Sequence, residues 1–257
     1  MRVDHTLLES MAQKRTEVLA EPLAQMFREN YPGRCRMIDE EKLSVFTRWC
    51  ARDAYALGCE NYGVLKSYAF IAWHLGTGFI RDPLYPAIEE MARSDRSFDE
   101  KMEEISEYFF EHLYPGDLSK LSAYNEALKR LLKVNLEVVT SLRNYDQIAE
   151  LLERIYPQRA KLIGSTKDIS ILVNLASDGK ITRYNIDHPI GRFVYAGLVF
   201  FLGSNFDEDP LYPWAKKYLD DKEPRMAYKL DALVKVVRKR IKSANRQIEK
   251  VLSEVEA

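Results

Sequence analysis

Imidazole titrates near neutrality without help, so the four histidines, His5, His74, His112 and His188, are the first candidates for a general base. They are scattered along the chain, and none sits in HExxH or another zinc-ligand spacing. His74 follows Trp73 at the end of an apolar stretch, where a hydrogen-bonded structural histidine is expected. The cysteines, Cys35, Cys50 and Cys59, are odd in number and include no CxxC pair. Cys50 or Cys59 would need a neighbouring base to act as a nucleophile, and the sequence identifies none. Asp207-Glu208-Asp209 gathers carboxylates whose oxygens suit a hard divalent cation. GxSxG elbows, Walker loops and GxGxxG fingerprints do not occur. No catalytic, cofactor-binding or metal-ligating residue is therefore expected, and the chain does not read as an enzyme.

The surroundings of the acidic triplet are more informative. The segment Leu75-Gly76-Thr77-Gly78-Phe79-Ile80-Arg81-Asp82-Pro83-Leu84-Tyr85-Pro86 recurs as Leu202-Gly203-Ser204-Asn205-Phe206-Asp207-Glu208-Asp209-Pro210-Leu211-Tyr212-Pro213, with eight of twelve positions identical. Upstream, Tyr31-Pro32-Gly33-Arg34 is answered by Tyr156-Pro157-Gln158-Arg159. Such a long period predicts two tandem helical bundles of similar structure, since solenoid repeats run about 20–50 residues. The first copy carries Ile80-Arg81 against Asp207-Glu208, which places a cation in the would-be metal site. Asp82 and Asp209, each followed by proline (Pro83, Pro210), are expected to be structural, accepting backbone N–H groups at the turn.

The elements that hold these loops read as helices, giving an all-α fold class. Leu43, Phe46, Thr47, Cys50 and Ala54 keep helical spacing, and Gly58 stands where such a helix should end. A second helix is predicted over Tyr62–Leu75. Asp187-His188-Pro189 signals a helix start with Asp187 as N-cap, followed by an inner stripe of Ile190, Phe193, Val194, Gly197, Leu198 and Phe201. Short helices follow Pro86 and Pro213. Ser97-Phe98-Asp99-Glu100 predicts a capping box opening an acidic helix to about His112. Tyr114-Pro115-Gly116-Asp117 marks the boundary between a first unit, 1–114, and a second, 118–257. Helical pattern runs from Leu118 through Val139, and a last basic helix from about Pro224 to Glu254.

Composition bounds the partners. Hydrophobic residues make up 46% of the 257 positions, enough to bury about 70–75% of the unfolded surface. The 38 basic and 39 acidic side chains nearly cancel, which gives no global attraction to nucleic acid or an anionic membrane. The basic last helix lacks interleaved aromatics, so nucleic-acid binding is not expected. No apolar run approaches the roughly 20 residues that span a membrane. Unpaired cysteines and no leader-like segment predict a cytoplasmic protein. Fifteen tyrosines and three tryptophans are many for a helical chain, and such side chains are enriched at protein interfaces. Tyr85, Tyr212 and Trp214, carried by rigid proline-bounded loops, are the candidate protein-binding residues.

The second copy keeps Leu202, Gly203, Phe206, Asp207, Asp209, Pro210, Pro213, Trp214 and Ala215. The first keeps the Asn61-Tyr62-Gly63 turn with Leu75, Gly76, Phe79, Asp82, Pro83 and Pro86, but has Ile80 for the first aspartate and Ala87 for the tryptophan. The pattern resembles a family of bacterial proteins encoded beside type VI secretion effectors, spikes and PAAR tips. The resemblance implies a cytoplasmic, non-enzymatic partner of a secreted effector or toxin. An adaptor or chaperone that loads the effector is favoured, because the motif recurs beside unrelated effectors; the alternative is an immunity protein that neutralises its toxin. A third class, an enzyme without a recognisable motif, would have to rest on Cys50 or His74.

Overall fold

A computed structural model describes residues 5–35, 38–114, 118–223 and 225–256. Its elements are all helical, with no strand among the described residues. The N-terminal half comprises α1 (His5–Asn30), α2 (Pro32–Cys35), α3 (Glu40–Ala56), α4 (Tyr62–Leu75), α5 (Pro86–Ala92) and α6 (Phe98–Tyr108). The C-terminal half comprises α7 (Leu118–Leu132), α8 (Leu136–Thr140), α9 (Tyr145–Ile155), α10 (Pro157–Ile163), α11 (Thr166–Ser177), α12 (Lys180–Arg183), α13 (Pro189–Leu202), α14 (Pro213–Leu219) and α15 (Met226–Glu256). The expected boundary falls largely on residues 115–117, outside the described residues.

Local chemistry fixes most helix starts. Asp39 accepts from the Lys42 N–H at 2.9 Å, and Asn61 from Gly63 at 2.6 Å. Both arms of the Ser97–Glu100 capping box are present, and Ser165 with Asp168 forms another that opens α11. Three expectations are corrected. The α13 N-cap is His188, whose Nδ1 accepts from the Ile190 N–H, whereas Asp187 turns aside to pair with Arg192 at 2.6 Å. The predicted helix from Leu118 to Val139 is broken after Leu132, because the Asn135 side chain accepts from Glu137 N–H and starts α8 afresh. The acidic helix keeps its α-helical form only to Tyr108 and then widens into a π-helical turn, Phe109–Leu113.

Helix α1 packs on α3, and α4 packs on both α3 and α6. In the other half α9 pairs with α11, α13 lies against α8, α9 and α11, and α7 pairs with the long α15. One contiguous apolar core runs from Leu23 to Leu233 and draws side chains from both halves. Its densest parts are α4, with Tyr68, Ile71, Ala72 and Trp73 buried, and α13, with an unbroken buried run from Phe193 to Phe200. The two helices carry matching aromatic contacts. Tyr68 meets Phe79 at 5.1 Å between centroids, and Tyr195 meets Phe206 at 5.0 Å. Tyr31 packs on His74 at 5.5 Å, and Tyr156 stacks on Phe201 at 5.6 Å. Each Tyr-Pro step thus packs against the last turn of the helix that feeds the shared loop.

The two loops meet face to face. Gly76 (φ 98°, ψ 158°) and Gly203 (φ 97°, ψ 160°) end α4 and α13 in the same conformation, one that only glycine adopts readily. Asp82 Oδ1 accepts from its own loop, the Leu84 N–H, at 2.9 Å, and Oδ2 accepts from the other loop, the Ser204 N–H, at 2.8 Å. Asp209 does the converse, taking Leu211 N–H at 2.8 Å and Thr77 N–H at 2.7 Å. Both aspartates are 2% exposed, so removing either strands N–H donors away from water. The local turn bond was expected for these residues; the bond across to the other loop was not. A Cβ at Gly76 would lie 2.7 Å from Leu202 O, and one at Gly203 would lie 2.5 Å from Leu75 O.

Gly76→Ala and Gly203→Ala should each lower unfolding free energy by about 3 kcal/mol or more, combining a forbidden φ with a clash against backbone. Urea titrations decide this, with Gly197→Ala as control: Gly197 is helical with open space around its Cβ position. The control should be neutral or stabilising by up to about 1 kcal/mol. Asp82→Ala and Asp209→Ala should each cost about 2–4 kcal/mol through stranded N–H groups. A double-mutant cycle should show coupling of about 0.5 kcal/mol or more, since each residue holds the other's loop; additive losses would mean the loops are independent.

Candidate functional site

The residues first suspected of chemistry are dispersed along the chain. His74 Nε2 lies 3.0 Å from the Tyr31 hydroxyl, within a cluster of Phe70, Phe109 and Tyr114 rings. His188 caps α13, and His112 stands exposed 3.7 Å from Glu111. Cys50 and Cys59 are buried and Cys35 is half-buried, and none of the three is in a disulfide. Burial pushes the Cys50 thiol well up, with Asp209 and Asp53 adding to the effect, so it stays protonated at neutral pH. The acidic triplet diverges. Asp207 turns into the core, accepting from Lys180 Nζ at 2.6 Å and Tyr184 OH at 2.5 Å. Burial and the Asp207 carboxylate raise the phenols of Tyr184 and Tyr195 together. Glu208 points out toward Arg183 and Lys216, and Asp209 reaches across to the first loop. These three carboxylates share no common centre for a cation.

The three candidate aromatics part company. Tyr85 is 5% exposed, and its hydroxyl accepts from Arg159 Nη2 at 2.6 Å while the guanidinium lies 5.7 Å from the ring centroid. Tyr85 is therefore corrected from a surface residue to part of the joint between the halves. The cause is Arg159, which the second Tyr-Pro step carries over the first loop. Its charge also offsets Asp82, whose carboxyl is pushed up by burial and pulled back by the N–H groups of Ser204 and Leu84 and by Arg159. Tyr212 and Trp214 are half-buried instead, and both line a groove of about 1430 Å³.

This groove lies between three helices. One wall is α13, through Phe193, Val194, Gly197, Leu198, Phe201 and Leu202. A second is α15, through Val234, Val237, Ile241, Ala244, Ile248 and Val251. The third is α7, through Leu121, Tyr124, Leu128 and Leu131. The floor near the joint comes from Tyr31, His74, Leu75, Tyr156 and Arg159, and one rim from Tyr212, Pro213 and Trp214, with Arg240 5.9 Å from the Trp214 ring. The stripe expected on the inner side of α13 is largely this wall, so much of it faces the groove as well as the core.

Apolar patches of this extent are uncommon on a protein without a partner. The arrangement can sequester an apolar body of side-chain scale and bring arginines to its edge. Sequence reasoning missed the walls on α7 and on the last turns of α15. The available signal was length: the apolar stripe of α15 continues to Val251, well beyond Leu233, its last fully buried member.

Iodoacetamide should alkylate Cys35 first in the folded protein, whereas Cys50 and Cys59 should react at least tenfold more slowly until urea exposes them. Mass spectrometry of quenched samples checks this, and rapid native labelling of Cys50 would reopen a nucleophilic role. No family model, curated protein or solved structure matches this chain.

Proposed function

We propose that the protein is a non-enzymatic docking protein that holds a polypeptide segment in the groove between α7, α13 and α15. The observation that carries this reading is the position of Tyr212 and Trp214: the shared loop delivers both to the rim of a large apolar groove. The rigid proline-bounded loop presents these rings at little ordering cost, and half-buried tyrosine and tryptophan are the side chains that most often anchor a protein partner. Taken with the motif resemblance, the partner is a secreted effector of the type VI system, and the role is that of an adaptor or chaperone acting before secretion.

Trp214→Ala should weaken binding of the effector encoded beside this protein by about 2 kcal/mol or more, roughly 30-fold, with the melting temperature nearly unchanged. Titration calorimetry with the purified effector measures the first quantity and differential scanning the second. Tyr85→Phe should do the reverse, lowering stability through the lost Arg159 contact and leaving affinity intact. In cells, deletion should abolish export of the effector, while co-expression should not rescue growth from its toxin domain. Rescue with unimpaired export would replace the adaptor reading by immunity.

A further inference from the structure

The occupant of the groove can be narrowed, resting on the polypeptide-docking reading above. We infer that the groove receives an amphipathic α-helix whose apolar face is flanked by carboxylates. The walls are themselves helices that present apolar residues at three- and four-residue spacing, the ridges into which another helix packs. On α15 that stripe runs from Val234 to Val251, about 26 Å of helix at 1.5 Å per residue, enough for some five turns of an occupant. An extended segment fits less well. No strand lies among the described residues, so there is no sheet edge to pair its backbone, and its N–H and C=O groups would be buried unmatched. A helix brings its backbone hydrogen bonds with it.

Two details of the lining add to this. Gly197 sits in the middle of the α13 wall, and a Cβ there would meet nothing within 4 Å. It leaves a notch that can take a knob from a facing helix. The charge of the lining is one-sided. Arg238 and Arg240 line the groove with no ion pair among the described residues, where Glu254, the one acid in the lining, is already set against Lys250 at 3.8 Å. Arg159, by contrast, is committed to Tyr85 and Asp82 at the joint. Guanidinium groups left without carboxylates beside an apolar trough match a helix with glutamate or aspartate along its flanks.

The test uses two fluorescein-labelled, end-capped peptides of 18 residues that share one leucine stripe at helical spacing. One carries glutamate on its flanks and the other lysine, and each is titrated against the full chain by fluorescence anisotropy. The glutamate peptide should bind at least tenfold tighter than the lysine peptide, and the preference should shrink in 0.5 M salt. Gly197→Leu fills the notch and should weaken the glutamate peptide at least tenfold without lowering the melting temperature. Arg238→Gln with Arg240→Gln, on exposed positions that leave the fold alone, should cut the charge preference severalfold. Equal affinities for the two peptides, or binding indifferent to both sets of substitutions, would overturn the inference. So would a dimer in sedimentation velocity that Gly197→Leu dissolves, or dodecanoate displacing the glutamate peptide stoichiometrically at micromolar concentration. If the effector binds and Trp214→Ala releases it while the peptides show no preference, the docking reading stands and the acidic helix falls. If the glutamate peptide binds as expected and the effector does not, the partner assignment falls instead.

Discussion

Everything else in this fold hangs on a pair of exchanged hydrogen bonds. Asp82 and Asp209 each hold their own turn with one oxygen and the opposite turn with the other. Two buried carboxylates at one joint are costly to desolvate, and the arrangement is tolerable because their oxygens face four backbone N–H groups with Arg159 close by. The contact is so close that backbone carbonyls occupy the space where side chains at positions 76 and 203 would begin. This explains why glycine stands at both positions and why the α4 and α13 ends share dihedral angles to within a few degrees. The joint ties together the C-terminal ends of two helices that carry much of the core.

The groove follows from that joint. With α13 held by its C-terminal end, one side of the helix completes the core while its Phe193–Leu202 stripe forms a wall. The long α15 pairs with α7, and the two supply the other walls of an apolar trough beside α13. The loops are locally alike but their aromatics are used differently. Tyr85 is sealed beneath Arg159, whereas Tyr212 and Trp214 stand at the open edge. Tryptophan at 214 against alanine at 87 is one of the differences between the copies that accompany this difference in use.

Much of this was legible before any coordinates. The helix expected over about Tyr62–Leu75 was readable, and Asn61 caps its start and Gly76 ends it. The capping box at Ser97 and the prolines at 86 and 213 were equally plain, since such signals act within four residues. What stayed hidden depended on distant partners. Periodicity marks a stripe as apolar but not whether a neighbour covers it, so the groove walls on α13 and α15 read as ordinary core faces. Nothing local distinguishes Tyr85 from Tyr212, because the arginine that buries one of them comes from 74 residues away. Asp187 and His188 are both competent caps, and the choice between them was made by Arg192, which claims the aspartate.

The span of the exchanged bonds also bears on how the chain comes into being. The two cross-loop partners are separated by 122 and 132 residues, so neither bond can form until most of the polypeptide has been made. At about 5–20 residues per second, the first loop waits roughly 6–25 seconds after its synthesis for its counterpart to leave the ribosome. During that interval the Asp82 carboxylate has lost half its partners to solvent, and the Leu75–Gly76 surface that will meet Leu202 is uncovered. The nascent N-terminal half is thus a legitimate target for holding chaperones, and closure of the joint is a late, high-contact-order event in the life of the molecule.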